Sequence, residues 1–435
     1  MGRHIGTCVG VIICVTAFAQ EPPRPLPPSV TGTPRPVAPQ PQPPVSPAAG
    51  VAPPTQQSTA PIGRFQNLSA FPAETATAVT SVKAGADWLW RMNQANGRFL
   101  PGLNPATRTP LDTDHDLRQA LAALALADAG RFTGDDRFTA RATQAILTLL
   151  TLTRPDPADP ACRVPSMAGE RCNRVAFAAA VALAVYRSPA ADPALMTSAE
   201  QLCGFVRKQC QPTGAIGSGD GPAKTDTEGQ HLAPGLAIQA LTANLRVKPD
   251  AANRDLVTRS VAFYRSKFQT QPHPLLAAGL VPGFVEFALL SGKDVTATAG
   301  VFEMADWLCQ CQYTRADAPN PAWAGGFKGC GSPPGWEAAW VCGAMASAAK
   351  LTRHVPDLAR FGKYRQAAID GFAFARALQY SDENADHFER TYRARFLTGG
   401  VHLSPADGTI RIDATAALVC SQFAFLESGA EGRVD

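Results

Sequence analysis

Two kinds of helical segment alternate along most of this chain. The first kind is rich in alanine and apolar on nearly every side, as in Leu117–Ala127, which reads LRQALAALALA. A helix of this composition is expected to be buried all round. The second kind is amphipathic, as in Val79–Met92, so that one face meets solvent. The alternation therefore predicts an inner and an outer layer of helices.

The alternation continues through six pairs of helices, two of which, around Arg141–Tyr186 and Val261–Leu290, keep the helices but lack the glycine turn described below. The other apolar segments are Val175–Tyr186, Leu236–Leu245, Val341–Leu351 and Ala414–Leu426. The other amphipathic segments are Arg141–Leu152, Ser198–Arg207, Asp255–Phe268, Gly300–Cys311 and Tyr364–Leu378. One pair cannot bury its own apolar face, so neighbouring pairs must pack together, and a ring of pairs buries every inner helix. Strand patterns are weak throughout.

A short turn recurs between the two kinds of helix. It combines glycine, any residue and an apolar residue, at Gly97-Arg98-Phe99, Gly214-Ala215-Ile216, Gly325-Gly326-Phe327 and Gly399-Gly400-Val401. An acidic residue follows each turn at the start of an apolar helix, namely Asp114, Glu228, Glu337 and Asp413. The repeats predict that these carboxylates lie where the inner helices begin, at one mouth of the ring.

The repeated helix pairs and their turns resemble the α/α toroids of terpenoid cyclases, protein prenyltransferases and six-hairpin glycosidases. The resemblance covers roughly residues 75 to 430. It implies an all-α fold, an (α/α)6 toroid of about six helical hairpins. An architecture of this kind hosts many chemistries, so the resemblance names no reaction. An open α-solenoid is the alternative, which the long and uneven spacing of the pairs disfavours.

The N-terminus has the pattern of a secretory signal peptide over residues 1–19. Arg3 supplies a basic start, residues 8–18 are apolar, and Ala17-Phe18-Ala19 forms a cleavage site. The apolar stretch is too short to span a bilayer as a helix. We therefore expect an exported protein, periplasmic or extracellular, with no membrane insertion after cleavage of the signal.

Residues 20–64 have the composition of a linker. They include 15 prolines between Pro22 and Pro61, so they cannot bury a core and should be extended and disordered. The signal peptide and this linker would therefore precede a single toroid domain over residues 65–435.

Nine cysteines remain after the predicted cleavage, and an exported chain can oxidise them. The odd number leaves at least one thiol. Cys162 and Cys172 bracket a loop and are the most natural pair, and Cys330 is a candidate partner for Cys309 or Cys311. The sequence leaves the connectivity open.

The densest polar cluster lies at the start of the first inner helix. Asp112, Asp114 and His115 fall within a run of five residues that also holds Thr113 and Asp116. Neighbouring carboxylates raise one another's pKa, which suits a general acid, and an imidazole can relay its proton. In the alternative interpretation, Asp112 or Thr113 caps the helix and the remaining acids complement its dipole.

A second cluster combines Glu228 with His231, three residues later. This spacing puts both side chains on one helix face, where a carboxylate and an imidazole suit proton transfer. The alternative is a helix cap beside a solvated histidine. Glu-x-x-His alone is a weak metal motif, and we predict no metal and no cofactor.

Two further clusters suit ligand binding. Trp323 and Trp336 offer aromatic faces on which sugar rings stack, and Glu337 directly follows Trp336. The alternative for the tryptophans is that they line an apolar pocket or belong to the core. Arg411 can bind a carboxylate through its guanidinium fork, which favours a uronate, with Asp413 beside it. The alternative for Arg411 and Asp413 is an ion pair that locks the closure of the ring.

Composition excludes some function classes. Forty basic residues nearly balance 36 acidic ones, and no basic stripe is present, so nucleic acid is not an expected partner. The clusters and the export signal favour an exported carbohydrate-active enzyme, namely a polysaccharide lyase, an epimerase or a glycosidase. Its ligand would be a poly- or oligosaccharide, with a uronate as one candidate, or another small molecule.

Two alternatives to a carbohydrate-active enzyme stay open. The first is a secreted binding or scaffold toroid without catalysis. The second is an enzyme resembling the class II terpene cyclases, because Asp112-Thr113-Asp114-His115 is similar to their Asp-x-Asp-Asp motif with His115 in the last position.

Overall fold

The computed structural model describes residues 61–65, 67–167, 172–217 and 227–429, with backbone only at residues 64 and 227–230. The described residues belong to one compact unit, which begins at Ser58. The predicted signal peptide (1–19) and nearly all of the predicted linker (20–64) lie outside the described residues.

Twelve helices of at least 14 residues make up most of the described part of the chain. In order they are α1 Ala73–Met92, α2 Asp116–Thr133, α3 Asp136–Leu150, α4 Arg174–Arg187, α5 Pro193–Lys208, α6 Thr227–Val247, α7 Ala251–Thr270, α8 Pro274–Leu290, α9 Val295–Cys311, α10 Ala338–His354, α11 Leu358–Ala377 and α12 Ile412–Ser428. The even-numbered helices form an inner ring, in which each packs on the next and α12 packs on α2. The odd-numbered helices lie outside it. This arrangement confirms the predicted (α/α)6 toroid.

Burial separates the two rings as the composition predicts. In α4, every residue from Val175 to Val185 is buried, because neighbouring helices surround it. Outer helices expose one face. Five of the six begin with aspartate caps whose side chains accept backbone N–H bonds, at Asp135, Asp192, Asp250, Asp294 and Asp357, whereas α1 begins after Pro72. None of the helices in the described residues is long and apolar enough to cross a membrane.

Two glycines bring inner helices α6 and α8 unusually close together. A Cβ atom built on Gly235 would lie 1.9 Å from the carbonyl oxygen of Gly279. Further along, a Cβ on Gly283 would lie 3.0 Å from the Ile238 side chain. Contacts that advance in the same direction on both helices show that α6 and α8 run parallel.

The four predicted turns share one geometry. Their first glycines all have positive φ, and each apolar residue forms a β-bridge with a residue near the end of the preceding outer helix. The turns also approach the next outer helix, because a Cβ on Gly325 would lie 2.3 Å from the Asp370 carbonyl oxygen of α11. The last turn closes the ring, since a Cβ on Gly399 would lie 2.0 Å from the Ala84 carbonyl oxygen of α1.

Short strands appear where the sequence shows only weak strand patterns. They are β1 Gly102–Asn104, β2 Thr109–Pro110, β3 Thr153–Asp156, β4 Asp159–Pro165, β5 His402–Ser404 and β6 Asp407–Arg411. An antiparallel sheet has the order β2-β1-β6-β5, and β3 pairs with β4. The pairing of Leu103 with Ile410 joins the segment before α2 to the segment before α12. Segments this short are set by their partners rather than by a period-two pattern.

The predicted disulfides do not form in the structure. All nine cysteines from Cys162 to Cys420 carry thiols, and neither Cys162–Cys172 nor a bond to Cys330 is present. Six of the nine cysteines are buried and fill the interior as small side chains. Cys203, for example, is fully buried, and its thiol donates a weak hydrogen bond to the Ala240 carbonyl oxygen at 3.7 Å.

Candidate functional site

The six inner helices all begin at one mouth of the ring, which we call the N-terminal mouth. The parallel orientation shows in α2 and α12, where Arg118 faces Asp413 near the start and Arg131 faces Glu427 near the end. The helix dipoles give the N-terminal mouth partial positive charge. The sheet formed by β1, β2, β5 and β6 also lies on this side, because β6 leads directly into α12.

Two histidines stack at the N-terminal mouth. The imidazole rings of His231 and His273 lie 3.9 Å apart and are parallel within 4°. His231 lies in the first turns of α6, and His273 is the N-cap of α8, where its Nδ1 accepts the Leu275 N–H at 3.2 Å. The close approach of α6 and α8 therefore places two imidazoles side by side, with both half-buried.

Burial lowers the pKa of both imidazoles. For His231, desolvation is the main cause, and the nearby His273 and Lys267 lower the pKa further. For His273, desolvation lowers the pKa. Both rings are therefore neutral at neutral pH, and a neutral imidazole can accept a proton from a bound ligand.

A cation cluster lies across the mouth at the start of α12. Both oxygens of Asp413, which is 1% exposed, accept hydrogen bonds from Arg411 at 3.0 and 2.5 Å. Arg118 of α2 lies 3.6 Å from the same carboxylate. The Arg411 guanidinium stands over the Trp336 ring, 5.3 Å from its centroid. The structure thus brings together three predicted residues, Trp336, Arg411 and Asp413.

The first predicted cluster is held by an arginine of the first turn. Arg98 donates to Asp114 at 2.9 Å and to Asp116 at 2.8 Å. Asp114 also accepts from the Gln119 side chain and from the His115 backbone N–H, both at 2.8 Å. Asp114 thereby fastens the turn to α2, and it carries its charge in an ion pair.

The helix cap predicted for α2 is wrong. The N-cap is His115 rather than Asp112 or Thr113, and the His115 side chain makes no capping bond. Asp112 is exposed, and His115 is half-buried. The Asp114 carboxylate instead accepts the backbone N–H of His115, which lies before the first helical residue.

The remaining predicted residues are spread around the mouth. Glu337 is the N-cap of α10 and makes no capping bond with its side chain. Trp323 lies on the segment before α10, 6.0 Å from the Tyr313 ring, with no described contact to Trp336. Glu228 lies in the first turn of α6, one turn before His231, but its side chain is outside the described residues.

Sequence reasoning missed three residues of this mouth: Arg98, Arg118 and His273. Two signals were available for His273, which directly precedes Pro274 and an apolar run typical of an inner helix. Its pairing with His231 depends on the Gly235–Gly279 contact and is not visible in the sequence. Within the described residues, no three His, Cys, Asp or Glu side chains converge as a metal site would require.

Comparisons with solved structures find toroids that act on sugars. The alpha-1,6-mannanase of Salegentibacter sp. HEL1_6 superposes with a TM-score of 0.56 at 11% identity, over 81% of this chain and 99% of that chain. Cellobiose 2-epimerase from Bacillus thermoamylovorans B4167 gives a TM-score of 0.56 at 11% identity, over 80% and 99%. The unsaturated glucuronyl hydrolase of Bacillus sp. GL1 gives 0.55 at 13% identity, over 79% and 96%.

Sequence comparisons give no assignment, since no protein-family model and no curated protein matches this sequence. At the low identities above, the structural likeness shows the fold alone. Together with the twelve alternating helices, it establishes this chain as a six-hairpin α/α toroid, the architecture that the six-hairpin glycosidases share.

Proposed function

We propose that this chain is a carbohydrate-active enzyme that moves protons on a sugar bound at the N-terminal mouth. The observation that carries the proposal is the parallel stack of His231 and His273, with both pKa values lowered by burial. Perturbed imidazoles in a polar mouth are typical of general acid–base sites. The sugar-acting toroids with the same fold support a carbohydrate as the ligand.

The proposed reaction begins with proton abstraction. One neutral imidazole takes the proton from a carbon next to a carbonyl or carboxylate, and the electron pair of that bond moves to form an enolate. The enolate oxygen gains stabilisation from the positive helix ends and from Arg118 and Arg411. The intermediate then either expels the group on the next carbon, as in a lyase, or regains a proton, as in an epimerase or isomerase.

The stacked pair of histidines fits proton return on a single face of the sugar, as in an isomerase. Rings that lie parallel and 3.9 Å apart leave no room for a sugar between them, so the imidazole that removes the proton returns it on the same face to the neighbouring carbon. Because the rings lie 3.9 Å apart, the first protonation also disfavours the second through like-charge repulsion. Glu228, one helical turn before His231, is proposed to assist the proton transfer.

Glycoside hydrolysis fits the described carboxylates less well. A glycosidase needs one protonated carboxylic acid and a second carboxylate at a set distance across the bond. Asp114 and Asp116 share Arg98, and Asp413 is bound by Arg411, so these groups are occupied in ion pairs. The same pairing of Asp114 disfavours a terpene-cyclase-like acid.

The ion pairs favour one other candidate, a binding toroid without catalysis. In that case, Asp114 and Asp413 would only hold the ring together, and the mouth would bind a glycan without changing it. Export of the protein through the predicted signal peptide is part of both proposals, and it would place the toroid beside extracellular or envelope glycans.

The proposal is tested on the full mature chain with a panel of polyuronates, neutral glycans and reducing disaccharides. Ultraviolet absorbance, reducing ends and product composition are recorded together for the wild type, His231→Gln and His273→Gln. His354→Gln is the matched control, because His354 is exposed at the far end of α10. We expect each mouth variant to lose at least a hundredfold in rate and the control to keep the wild-type rate.

The panel separates the alternatives. A hydrolase would instead produce new reducing ends without unsaturated or epimerised products. If these ends appeared at the same rate in both mouth variants, His231→Gln and His273→Gln, the proposed proton transfer would be overturned. Binding without any product, from a chain that unfolds cooperatively, would support the binding toroid.

A further inference from the structure

A deep cavity of about 430 Å³ runs inside the inner ring, and neither His231 nor His273 lines it. All six inner helices contribute to it. Most of its wall is apolar and includes Leu121, Leu124, Leu183, Leu236 and Phe423. Leu121 and Arg131 both line it and are ten residues apart on α2, so it extends for about 15 Å along the helix axis.

Seven charged side chains surround the cavity near the C-terminal ends of the inner helices. These residues, which we call the charged collar, are Asp128, Arg131, Arg187, Arg246, Glu286, Lys350 and Glu427. The collar therefore lies at the opposite end of the ring from the N-terminal mouth. It contains four cations and three carboxylates, which leaves an excess of one positive charge.

The collar is built from two runs of ion pairs. In the first, Arg131 binds Glu427 at 2.9 Å, and Arg187 binds Asp128 at 2.7 Å. In the second, Glu286 is shared by Arg246 and by Lys350, whose Nζ lies 3.0 Å away. Each carboxylate of the collar is thus already neutralised by cations from its own or neighbouring helices.

The cation is the more exposed partner in every collar pair. The side chain of Arg187 is 32% exposed against 2% for Asp128, and that of Lys350 is 36% exposed against 26% for Glu286. Asp128 raises the pKa of Arg187 although burial opposes it, and the pKa of Glu286 is lowered because Lys350 and Arg246 outweigh its burial. A molecule that enters through the collar therefore meets guanidinium and ammonium groups.

The helix dipoles act against this sign but are weaker than the side chains. The inner helices end at the collar with partial negative charge, about half an elementary charge per helix, and its effect falls off within the last turn. Arg246 and Lys350 carry whole charges on side chains that are 45% and 36% exposed, so an entering head group meets them first.

We propose that the cavity is a second ligand site, which binds a small amphiphile with one hydrocarbon chain and an anionic head. The chain lies along the apolar wall, and the head sits among Arg246, Lys350 and Arg131. The volume and depth correspond to a narrow passage, wide enough for a single chain. This site lies outside the proposed sugar chemistry and does not depend on it.

A sugar suits this cavity poorly. Along the apolar wall its hydroxyl groups would be buried against leucine, alanine and phenylalanine, and a hydroxyl buried without a hydrogen bond weakens binding. Polar groups in the wall are partly engaged already. Ser347 donates to the Gly343 carbonyl oxygen at 2.9 Å, and the Tyr186 hydroxyl accepts from Asn244 at 2.9 Å.

The test uses dodecanoate, at concentrations below its aggregation, and calorimetric titration of the full mature chain. Two variants fill the cavity from different helices, Ala243→Phe and Ser347→Phe, and circular dichroism checks their folding. Lys350→Gln removes a collar cation, with Lys83→Gln as the matched control on the exposed face of α1. Dodecyltrimethylammonium has the same chain with a cationic head.

We expect one dodecanoate to bind per chain, at least tenfold more weakly in each filled variant and at least threefold more weakly in Lys350→Gln. The Lys83→Gln variant should bind as the wild type does, and the cationic amphiphile should bind at least tenfold more weakly than dodecanoate. The proposal is overturned by the absence of saturable binding to the wild type, or by folded filled variants that bind equally well. Tighter binding of the cationic amphiphile than of dodecanoate would overturn it too.

If neither filled variant folds, tryptophan fluorescence of Trp340→Phe decides between the outcomes, because Trp340 lines the cavity. We expect this variant to lose the fluorescence change that dodecanoate causes in the wild type. A variant that keeps this change would overturn the proposal.

Discussion

The imidazole rings of His231 and His273 lie parallel and 3.9 Å apart, across the contact between α6 and α8. Two glycines, Gly235 and Gly279, allow this contact because no side chain separates the helix backbones there. The geometry of the proposed site is therefore a direct consequence of helix packing a few residues further along. Changes in that packing should reach the histidine pair.

Gly235→Ala tests the link between packing and site. The new methyl group would lie 1.9 Å from the Gly279 carbonyl oxygen, so α6 and α8 must separate. Overpacking of this kind costs about 1–3 kcal/mol. We expect urea unfolding to show a loss in that range and any catalytic activity to fall with it.

Gly362→Ala is the matched control for this substitution. Gly362 lies within outer helix α11, and a Cβ built there meets nothing within 4 Å. Alanine is the better helix former by about 1 kcal/mol, so this variant should be more stable than the wild type. If both variants lost the same free energy of unfolding, the close contact at Gly235 would not be what makes the first substitution destabilising.

The lowered pKa values of His231 and His273 predict a pH-dependent stability. Their folded pKa values lie below the ordinary 6.5, so the unfolded chain binds more protons as the pH falls below 6.5. The contribution of the pair to the free energy of unfolding is complete above pH 6.5 and is lost as the pH falls through the folded values. Urea titrations at pH 7.5 and 5 measure how much the free energy of unfolding falls between these two pH values. We expect a smaller fall for the double variant His231→Gln, His273→Gln than for the wild type.

His354→Gln is the comparison for that measurement, since His354 is exposed and its change should leave the pH slope as in the wild type. A double variant with the full wild-type slope would contradict the neutral, buried state that we assign to the pair.

Asp413→Asn should destabilise the closure of the ring strongly. The Asp413 carboxylate is 1% exposed and is shared by Arg411 and Arg118, so the substitution removes the negative charge that both nearly buried cations face. Breaking a buried pair in this way costs about 3–5 kcal/mol. The control is Asp255→Asn, which breaks an exposed pair with Arg259 and should cost less than about 0.5 kcal/mol. Similar losses in thermal unfolding would contradict this account of Asp413.

Asp114→Asn should lower the free energy of unfolding and leave the catalytic rate unchanged. Asp114 accepts from Arg98 and Gln119 at a partly exposed position, so we expect a loss of about 1 kcal/mol. Asp112→Asn is the neighbouring control at an exposed carboxylate and should be silent in thermal unfolding. Loss of activity at Asp114 with an unchanged melting temperature would instead identify a catalytic acid.

The architecture of the ring was predictable because it rests on local patterns. Alanine-rich segments such as Leu117–Ala127 are buried because their composition fits a crowded inner ring, and all six predicted pairs are present among the described residues. The four glycine turns were predictable for the same reason, since a positive φ favours glycine. The small sheet was not, because the pairing of Leu103 with Ile410 joins segments about 300 residues apart.

The sequence predicted several residues of the site but not the contacts between them. Sequence clustering singled out His231, Trp336, Arg411 and Asp413, and the structure places all four at one mouth. The sequence does not show which partner each charge finds, so the pairing of Asp114 with Arg98 and of His231 with His273 was missed. Such contacts depend on the spacing between helices, which short sequence windows do not encode.

Deuterium incorporation from heavy water measures the proposed proton abstraction itself. Candidate uronate oligosaccharides and reducing disaccharides are incubated with the protein in D2O, and nuclear magnetic resonance follows the carbon next to the carbonyl or carboxylate. We predict exchange by the wild type and by Asp114→Asn, and at least a hundredfold slower exchange by His231→Gln and His273→Gln with unchanged melting temperatures. Exchange at the wild-type rate in the double histidine variant, or none by the folded wild type across the panel, would contradict the account.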